Sequence, residues 1–455
     1  MSCPLSPLDG RYRERLSDLA GLFSEEALVR SQCIVELRYL ELLSTRGLFP
    51  PLPASTVEQV RKLEDVFGPT EFAAVKAIEA ETNHDVKACE LFIRQALELP
   101  DPNAVHFGLT SEDVNNLAYS LLLDRYRLDV QVPRLKQLME TLAGMAMEWK
   151  GKPFPARTHG QMASPTTAGK ELAVFLARLD RQLEHLEKHR FSGKLNGATG
   201  NYSAMVAAFP DTNWRSLSRT FVEGLQLAFN PITTQIESHD SWCEYFDVTR
   251  RINQVVLDLD VDMWLYISHG CFKQRAVPGE VGSSTMPHKV NPINFENSEG
   301  NLVLSNSLLV TLSDRLSHSR MQRDLSDSTV ERNMGVALGH AHLAIGETIK
   351  GLGKVELDRD ECRRQIGGNL HLLSEPIQSI LRTRQVERPY ELLKGLSRGK
   401  EMDPGLLEQF IESLAVDADV KSQLRALSPM SYLGLAEQLC DETVRRIVRE
   451  RDLCV

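Results

Sequence analysis

The side chains best suited to chemistry stand close together in one polar stretch, residues 279–301. It offers two adjacent hydroxyls at Ser283 and Ser284, an imidazole at His288 and an ammonium group at Lys289. Its glycines and prolines prevent one regular helix, because Gly is conformationally free and Pro lacks an N–H donor. Irregular polar loops between long helices often carry mobile catalytic groups, so this stretch is predicted to be a catalytic loop. A solvated connection is the alternative.

Two further polar segments mark the starts of predicted helices. Residues 82–85, Thr-Asn-His-Asp, have the short polar side chains that suit a helix start, where His84 is interpreted as a capped or solvated histidine. Thr110 and Ser111 are N-cap candidates for a much longer helix. The backbone N–H groups behind them form a ready site for a carboxylate or a phosphate.

A second histidine, His159, is predicted to lie in irregular backbone, because Pro155 and Pro165 flank its segment. A structural, hydrogen-bonding role is the alternative to a chemical one. Residues 197–202 form a second glycine-rich loop. This loop is not a phosphate-binding P-loop, since it lacks the Gly-Lys-[Ser/Thr] ending.

Long segments with helical apolar spacing must position these groups. An amphipathic helix is predicted over 24–45, and a helix that opens at 111 is predicted to reach about 150 with a bend at Pro133. The other long helices are predicted to end near 192 and to cover 241–270, 295–318 and 328–350. The five central helices favour a bundle, and their apolar surface exceeds what one bundle covers, which indicates a helical oligomer core.

The chain is expected to be all-α and to form three helical domains. These are residues 1–110, a central long-helix domain 111–352 that contains the loop 279–301, and a small C-terminal domain 353–455. Past residue 353 the predicted helices are shorter, and glycines and prolines separate them. Strand-like alternation is weak throughout.

Composition excludes several classes of function. A net charge of −10 and a pI near 5.7 argue against non-specific binding to nucleic acid or anionic membranes, so an anionic substrate needs local clusters of Arg and Lys. The eight cysteines are scattered, which fits reduced thiols in the cytoplasm better than disulfides or a zinc site. No apolar signal core and no apolar run of about 18 residues is apparent, so a cytoplasmic protein without a membrane span is expected.

Three motifs in order resemble those of the fumarase/aspartase superfamily. They are Thr110-Ser111-Glu112-Asp113 with Asn115-Asn116, Thr158-His159-Gly160-Gln161, and Gly282-Ser283-Ser284-x-Met286-Pro287-x-Lys289-x-Asn291-Pro292. Further segments look like the bacterial type of its adenylosuccinate lyase branch: Asp9-Gly10-Arg11-Tyr12, Thr82-Asn83-His84-Asp85, Thr234-Gln235-Ile236-Glu237, His288, and Gln322-Arg323-Asp324 with Ser328 and Arg332. The resemblance covers nearly the whole chain.

The resemblance implies elimination of fumarate from adenylosuccinate to give AMP, and from the carboxamide ribonucleotide SAICAR to give AICAR, in purine synthesis. It also implies a homotetramer with a shared helical core, whose active sites each take motifs from three chains. No cofactor and no metal ion is implied.

The same resemblance suggests roles for individual residues. Ser283 is the expected general base, its alkoxide stabilised by Lys289 and loop N–H groups, because a proton next to a carboxylate is very weakly acidic. His159 is the expected general acid, since imidazole titrates near neutral pH, and His84 is the second candidate. Phosphate binding is expected from Arg11, Tyr12, Arg323, Ser328 and Arg332. Other substrate contacts are expected from Asn83, His84, Asp85, Thr110, Ser111, Thr158, Gln235, Ser284, Lys289, Asn291 and Asn297.

Two alternatives remain open at this point. One is another fumarate-releasing lyase of the superfamily, of the argininosuccinate lyase or fumarase type. The other is a non-catalytic scaffold of the same fold.

Overall fold

A computed structural model describes most of the chain, namely residues 4–275, 286, 289–397 and 402–455. Ser283, Ser284 and His288 lie outside the described residues. Their assigned roles therefore stay predictions from the sequence.

The fold is all-α, as the sequence predicts. The helices are α1 Ser17–Phe23, α2 Glu25–Thr45, α3 Ala54–Val66, α4 Pro69–Thr82, α5 Asp85–Ala96, α6 Ser111–Tyr126, α7 Val132–Trp149, α8 Ala168–Lys188, α9 Ser203–Ala208, α10 Trp214–Gly224, α11 Asp240–Ser268, α12 Ile293–Leu316, α13 Ser326–Glu331, α14 Met334–Leu352, α15 Arg359–Gly367, α16 Ser374–Thr383, α17 Pro389–Ser397, α18 Pro404–Ser413, α19 Ala418–Arg425 and α20 Ala436–Arg451. No helix among the described residues is both long and apolar enough to cross a membrane.

The strands that the structure describes are short and form two-stranded sheets. They are β1 Pro153–Phe154, β2 Arg157–Thr158, β3 Gln161–Met162, β4 Thr166–Thr167, β5 Ser192–Gly193, β6 Ala228–Phe229, β7 Phe272–Gln274 and β8 Val355–Leu357. The pairs β1–β4, β2–β3 and β7–β8 are antiparallel, and β5–β6 is parallel.

The predicted long helices are confirmed with small shifts at their ends, with one exception. The predicted helix 328–350 is wrong as a single element, because α13 ends at Glu331 and α14 begins at Met334. The carbonyl of Asn333 accepts hydrogen bonds from the N–H groups of Val336 and Ala337, so Asn333 opens a new helix. Asn is a favoured residue at such a start.

A π-helical turn, Arg127–Gln131, lies between α6 and α7, just before Pro133. The bend expected at Pro133 stays a prediction. There the N–H of Val132 bonds the carbonyl of Arg127, five residues back. Pro133 has no N–H, and its ring excludes a normal turn before it, so the wider turn lets the helix continue.

Contacts between Cα atoms divide the chain into two compact units. The first contains Met1–Arg134, Gln182–Gln254 and Gly300–Ala344. The second contains Leu135–Arg181, Val255–Glu299 and Ile345–Val455. The three-domain division at 110/111 and 352/353 stays a prediction.

In the first unit, one apolar face of α2 builds an N-terminal core. Val29, Cys33, Leu37 and Leu40 recur at helical spacing and are buried together. They pack in one cluster with buried residues of α5, such as Ile93. This core supports α5, and His84 lies at the start of that helix.

In the second unit, the C-terminal helices form a separate apolar cluster. Leu373, Ile377 and Leu381 follow the same helical spacing along α16 and its start. They pack with Ile411 of α18 and Leu424 of α19. Short helices therefore suffice here, because each contributes only a few residues to a common core.

We expect Gly169→Ala to lower the stability of the second unit. Gly169 stands at the start of α8, where an added Cβ would overlap the carbonyl oxygen of Ala146 and lie 2.5 Å from the nitrogen of Lys150. Overpacking against backbone typically costs about 1–3 kcal/mol. The measurement is the midpoint of thermal unfolding at one protein concentration.

Gly21→Ala is the matched control, since this exposed glycine lies within α1 and its added Cβ would meet no described atom within 4 Å. That change should raise stability by about 0.5–1 kcal/mol, because Ala is a better helix former. Equal midpoints for the two variants would contradict the close contact at Gly169.

Candidate functional site

His84 and Ser111 form a pair in the first unit. His84 precedes α5, and its Nδ1 accepts a hydrogen bond of 3.2 Å from the N–H of Lys87. The neutral ring therefore carries its hydrogen on Nε2, which lies 3.3 Å from the hydroxyl oxygen of Ser111. The hydrogen bond from Lys87 thus orients His84 so that its Nε2–H points at the start of α6.

Asp113 fixes the backbone behind this helix start. Its carboxylate is fully buried and accepts hydrogen bonds from the N–H groups of Thr110 and Asn196, both at 2.9 Å. The ammonium group of the equally buried Lys194 lies 2.9 Å from the same carboxylate. A buried charge is tolerated only when it is paired in this way, so the loop after residue 194 is held against α6.

The glycine-rich loop 197–202 makes a close backbone contact. Gly200 has φ +80°, and an added Cβ there would overlap the carbonyl oxygen of Thr233 and lie 2.8 Å from that of Thr234. Within the same loop, the carbonyl of Ala198 accepts a 2.9 Å hydrogen bond from the side-chain amide of Gln235. The loop therefore helps to place Gln235.

Arg323 is anchored at both ends of its guanidinium group. Its Nη1 donates a 3.3 Å hydrogen bond to the Gln235 side chain. Its Nη2 lies 2.9 Å from Oε2 of Glu112, a side chain that is only 2% exposed. A planar guanidinium held at two points has a fixed plane, which suits directed contact with an anion.

A buried cluster of acidic groups backs Arg323. Burial raises the pKa of the Glu112 carboxyl to about 7, although Arg323 opposes the rise. Burial raises the pKa of Glu331 well above its usual range, and the charge of Glu112 adds to this. Burial lowers the pKa of His239 to about 4. At neutral pH His239 is therefore neutral. For Glu331, burial favours the protonated form of the carboxyl group.

Glu112, His239 and Glu331 are also the described residues that could hold a metal ion. One ligand atom from each lies within 4.8 Å of the others. Arg323 already pairs with Glu112, and its positive charge opposes a cation at this point. We interpret the cluster as the support of Arg323.

The other predicted phosphate-binding residues lie in two places of the same unit. Arg332 donates a 2.9 Å hydrogen bond to the carbonyl of Ser328, one helical turn earlier, so these two residues are neighbours. Arg332 also lines a cleft of about 1010 Å³ together with residues between Pro4 and Ser24. Arg11 lies with its guanidinium carbon 5.9 Å from the ring centre of Tyr12.

Asn83 and Asp85 flank His84 at the junction of α4 and α5. Asn83 has φ +51° and ends α4 in the left-handed conformation, which Asn adopts more readily than most residues. Asp85 accepts a 2.8 Å hydrogen bond from the N–H of Val86. Both therefore shape the backbone that presents His84.

In the second unit, His159 stands at the tip of a hairpin. It was predicted to lie in irregular backbone, but Thr158 and Gln161 pair across a two-residue turn. His159 has φ +53° and Gly160 has φ +74°, the combination that closes tight hairpins with the correct twist. The exposed imidazole therefore projects from a defined turn.

The described end of the predicted catalytic loop belongs to the second unit as well. The N–H of Lys289 bonds the carbonyl of Met286 at 3.0 Å, and the Lys289 side chain is exposed. Asn291 precedes α12, and Asn297 lies in its first turns. These residues stay predicted substrate contacts.

Glu112, Asp113, Lys194 and Glu331 received no role from the sequence. Glu112 and Asp113 stand inside the first motif, so their position was a usable signal. The sequence gives no comparable signal for Lys194 or Glu331, because one charged residue in a polar stretch is most often a surface charge.

Comparison with known proteins gives the family. A family model described as "Lyase" matches residues 51–305, and one described as "Adenylosuccinate lyase C-terminal" matches residues 319–433. The adenylosuccinate lyase of Escherichia coli (strain K12) is 44% identical over 446 residues, which cover 96% of this chain and 98% of that protein. The adenylosuccinate lyase of Vibrio cholerae serotype O1 is 43% identical over 447 residues, with the same coverage.

Solved structures share the fold at lower identity. The 3-carboxy-cis,cis-muconate lactonizing enzyme from Pseudomonas putida aligns with a TM-score of 0.76 and 22% identity, covering 95% of this chain and 97% of that one. Such a likeness shows the fold alone. The two family models and the relatives at 43–44% identity show more: the chain belongs to the adenylosuccinate lyase family.

Proposed function

We propose that the protein cleaves adenylosuccinate to AMP and fumarate, and SAICAR to AICAR and fumarate. The observation that carries the proposal is 44% identity over 96% of the chain to an adenylosuccinate lyase. Arg323, held by Gln235 and Glu112, supplies an oriented cation for an anionic substrate. These substrates are small molecules, in keeping with the acidic overall charge and local cationic groups.

The reaction removes a proton from the carbon next to a carboxylate and breaks the bond to the purine nitrogen. Ser283 takes the carbon-bound proton, and the electrons spread into the neighbouring carboxylate. Lys289 offsets the charge that develops there. His159 then donates a proton to the leaving nitrogen as the C–N bond breaks. His84, whose Nε2 faces Ser111, is the second candidate for the donor.

The test is an assay of purified protein with three substrates: adenylosuccinate, argininosuccinate and malate. Release of fumarate and AMP from adenylosuccinate alone is the expected result. Fumarate from argininosuccinate or malate alone would assign another lyase reaction. No turnover of any of the three would leave a non-catalytic scaffold and overturn the proposal.

Single replacements of Arg11, Arg323 and Arg332 by Ala are expected to raise KM. Each removes a charge-assisted contact to the phosphate worth about 1.5–3 kcal/mol. Because the reacting bond lies elsewhere in the substrate, kcat should change less than KM. The measurement is steady-state kinetics with adenylosuccinate. Unchanged KM values in all three variants would mean that the phosphate binds elsewhere.

We further propose that the chain assembles into a homotetramer with active sites shared between subunits. Large apolar side chains are exposed on the long helices, among them Val303, Leu304 and Val310 of α12 and Trp264 and Leu265 of α11. Exposed apolar side chains that recur along a helix favour an interaction surface there. Sedimentation at micromolar concentration should give four chains, and a fully active monomer would refute the assembly.

A cytoplasmic location is part of the same proposal. The described cysteines, from Cys33 to Cys454, form no disulfide, and most are buried. Reduced thiols are typical of that compartment. Cell fractionation tests the location.

A further inference from the structure

We propose that Glu112 is a positioning residue, which holds Arg323 in the orientation that binds the anionic substrate. This inference rests on the proposed function. It assigns a role to a buried carboxylate that touches Arg323 and is not itself expected to touch the substrate.

The first support is the geometry of the pair. Glu112 Oε2 lies 2.9 Å from Nη2 of Arg323, while Gln235 holds Nη1 from the other side. Arg323 is 17% exposed and Glu112 only 2%. An arginine side chain has many rotamers, so two anchors at one guanidinium remove freedom that substrate binding would otherwise have to remove.

The second support is that Glu112, and not another nearby charged group, is the partner of Arg323. Asp113 is paired with Lys194 at 2.9 Å, so that ammonium group is already engaged. Burial raises the pKa of Glu331 well above its usual range, which favours the uncharged form of that carboxyl group. Asp327, a further buried acid close to Glu112, accepts a 2.7 Å hydrogen bond from the N–H of Ser328.

The third support is the position of Glu112 in the chain. It follows Ser111 directly at the start of α6, and Ser111 meets His84. A shift of Glu112 would therefore disturb the helix start as well as Arg323. One buried carboxylate connects the arginine to the segment that carries two other candidate substrate contacts.

The test begins with wild-type protein and adenylosuccinate. Without wild-type turnover the proposed function fails, and the role of Glu112 falls with it. With wild-type turnover, Glu112→Gln is expected to raise KM about 5- to 20-fold and to leave kcat within about twofold, because one charge-assisted contact to Arg323 is weakened. Glu112→Asp keeps the charge but shortens the reach, and should also raise KM.

A double-mutant cycle separates positioning from a general structural role. If Glu112 acts through Arg323, Glu112→Gln should have no further effect on KM in a protein that already carries Arg323→Ala. Additive effects of the two changes would overturn the inference. Equal losses in kcat and in substrate affinity would overturn it too.

Asp180→Asn is the matched control. Asp180 is a buried carboxylate bonded to Arg451 at 2.6 Å and to Arg446 at 3.4 Å, and neither arginine is a candidate site residue. It should leave KM unchanged. If both Glu112 variants fail to fold, by circular dichroism and sedimentation, while Asp180→Asn folds, Glu112 is a structural residue and the inference is wrong.

Discussion

Ser283→Ala is expected to lower kcat by about three orders of magnitude while KM stays close to the wild-type value. A positioned base contributes about 10²–10⁴-fold to proton transfer, and abstraction of a carbon-bound proton depends on it heavily. Alanine removes the hydroxyl without adding bulk. Steady-state kinetics with adenylosuccinate gives both constants.

Ser284→Ala is the matched control, because it removes the neighbouring hydroxyl of the same loop. Ser284 is a predicted binding residue, so its loss should act mainly on KM. Proton exchange in deuterated solvent provides a second readout, since only an enzyme with its base can exchange the proton on the substrate carbon. Wild-type exchange rates in Ser283→Ala would transfer the base role to another residue, with His159 the first suspect.

His159→Asn is expected to lower kcat by about 10²–10⁴-fold through loss of the general acid. Asn is preferred to Ala for this test because it tolerates a positive φ such as the +53° of His159. The hairpin β2–β3 should therefore keep its turn, and the loss can be assigned to the imidazole. The measurement is again kcat with adenylosuccinate.

Proton exchange with deuterated solvent distinguishes loss of the general acid from loss of the general base. His159→Asn should still swap the carbon-bound proton with solvent if the carbanion lives long enough, whereas Ser283→Ala should not. His84→Asn is the comparison variant, because asparagine can still cap α5. A larger fall in kcat for His84→Asn than for His159→Asn would make His84 the proton donor.

The sequence predicts the long helices well because each has an apolar face that repeats at helical spacing. α11 and α12, for example, begin and end within two residues of the predicted limits. The break at Arg332 and Asn333 was not predicted, because apolar residues continue on both sides of it. An interruption of two residues is too short to change the helical spacing of the apolar residues around it, so the sequence does not reveal it.

The buried charges of the site were the least predictable feature. Asp113 meets Lys194, and Glu112 meets Arg323, yet the members of each pair are far apart in sequence. Such pairs depend on how helices and loops pack, which composition and spacing do not encode locally. The hairpin under His159 was missed for a related reason, since strands of two residues have too few positions to show alternation.

Gly200 restricts which sequences could take the place of this one. Every other amino acid has a Cβ, and at this position it would collide with the backbone of Thr233 and Thr234. Because the collision is with backbone atoms, the rotation of a neighbouring side chain cannot accommodate a substitution of Gly200. The loop that places Gln235 can diverge only if residues 233–234 move first, so over evolutionary time this part of the site should change in coordinated steps or remain fixed.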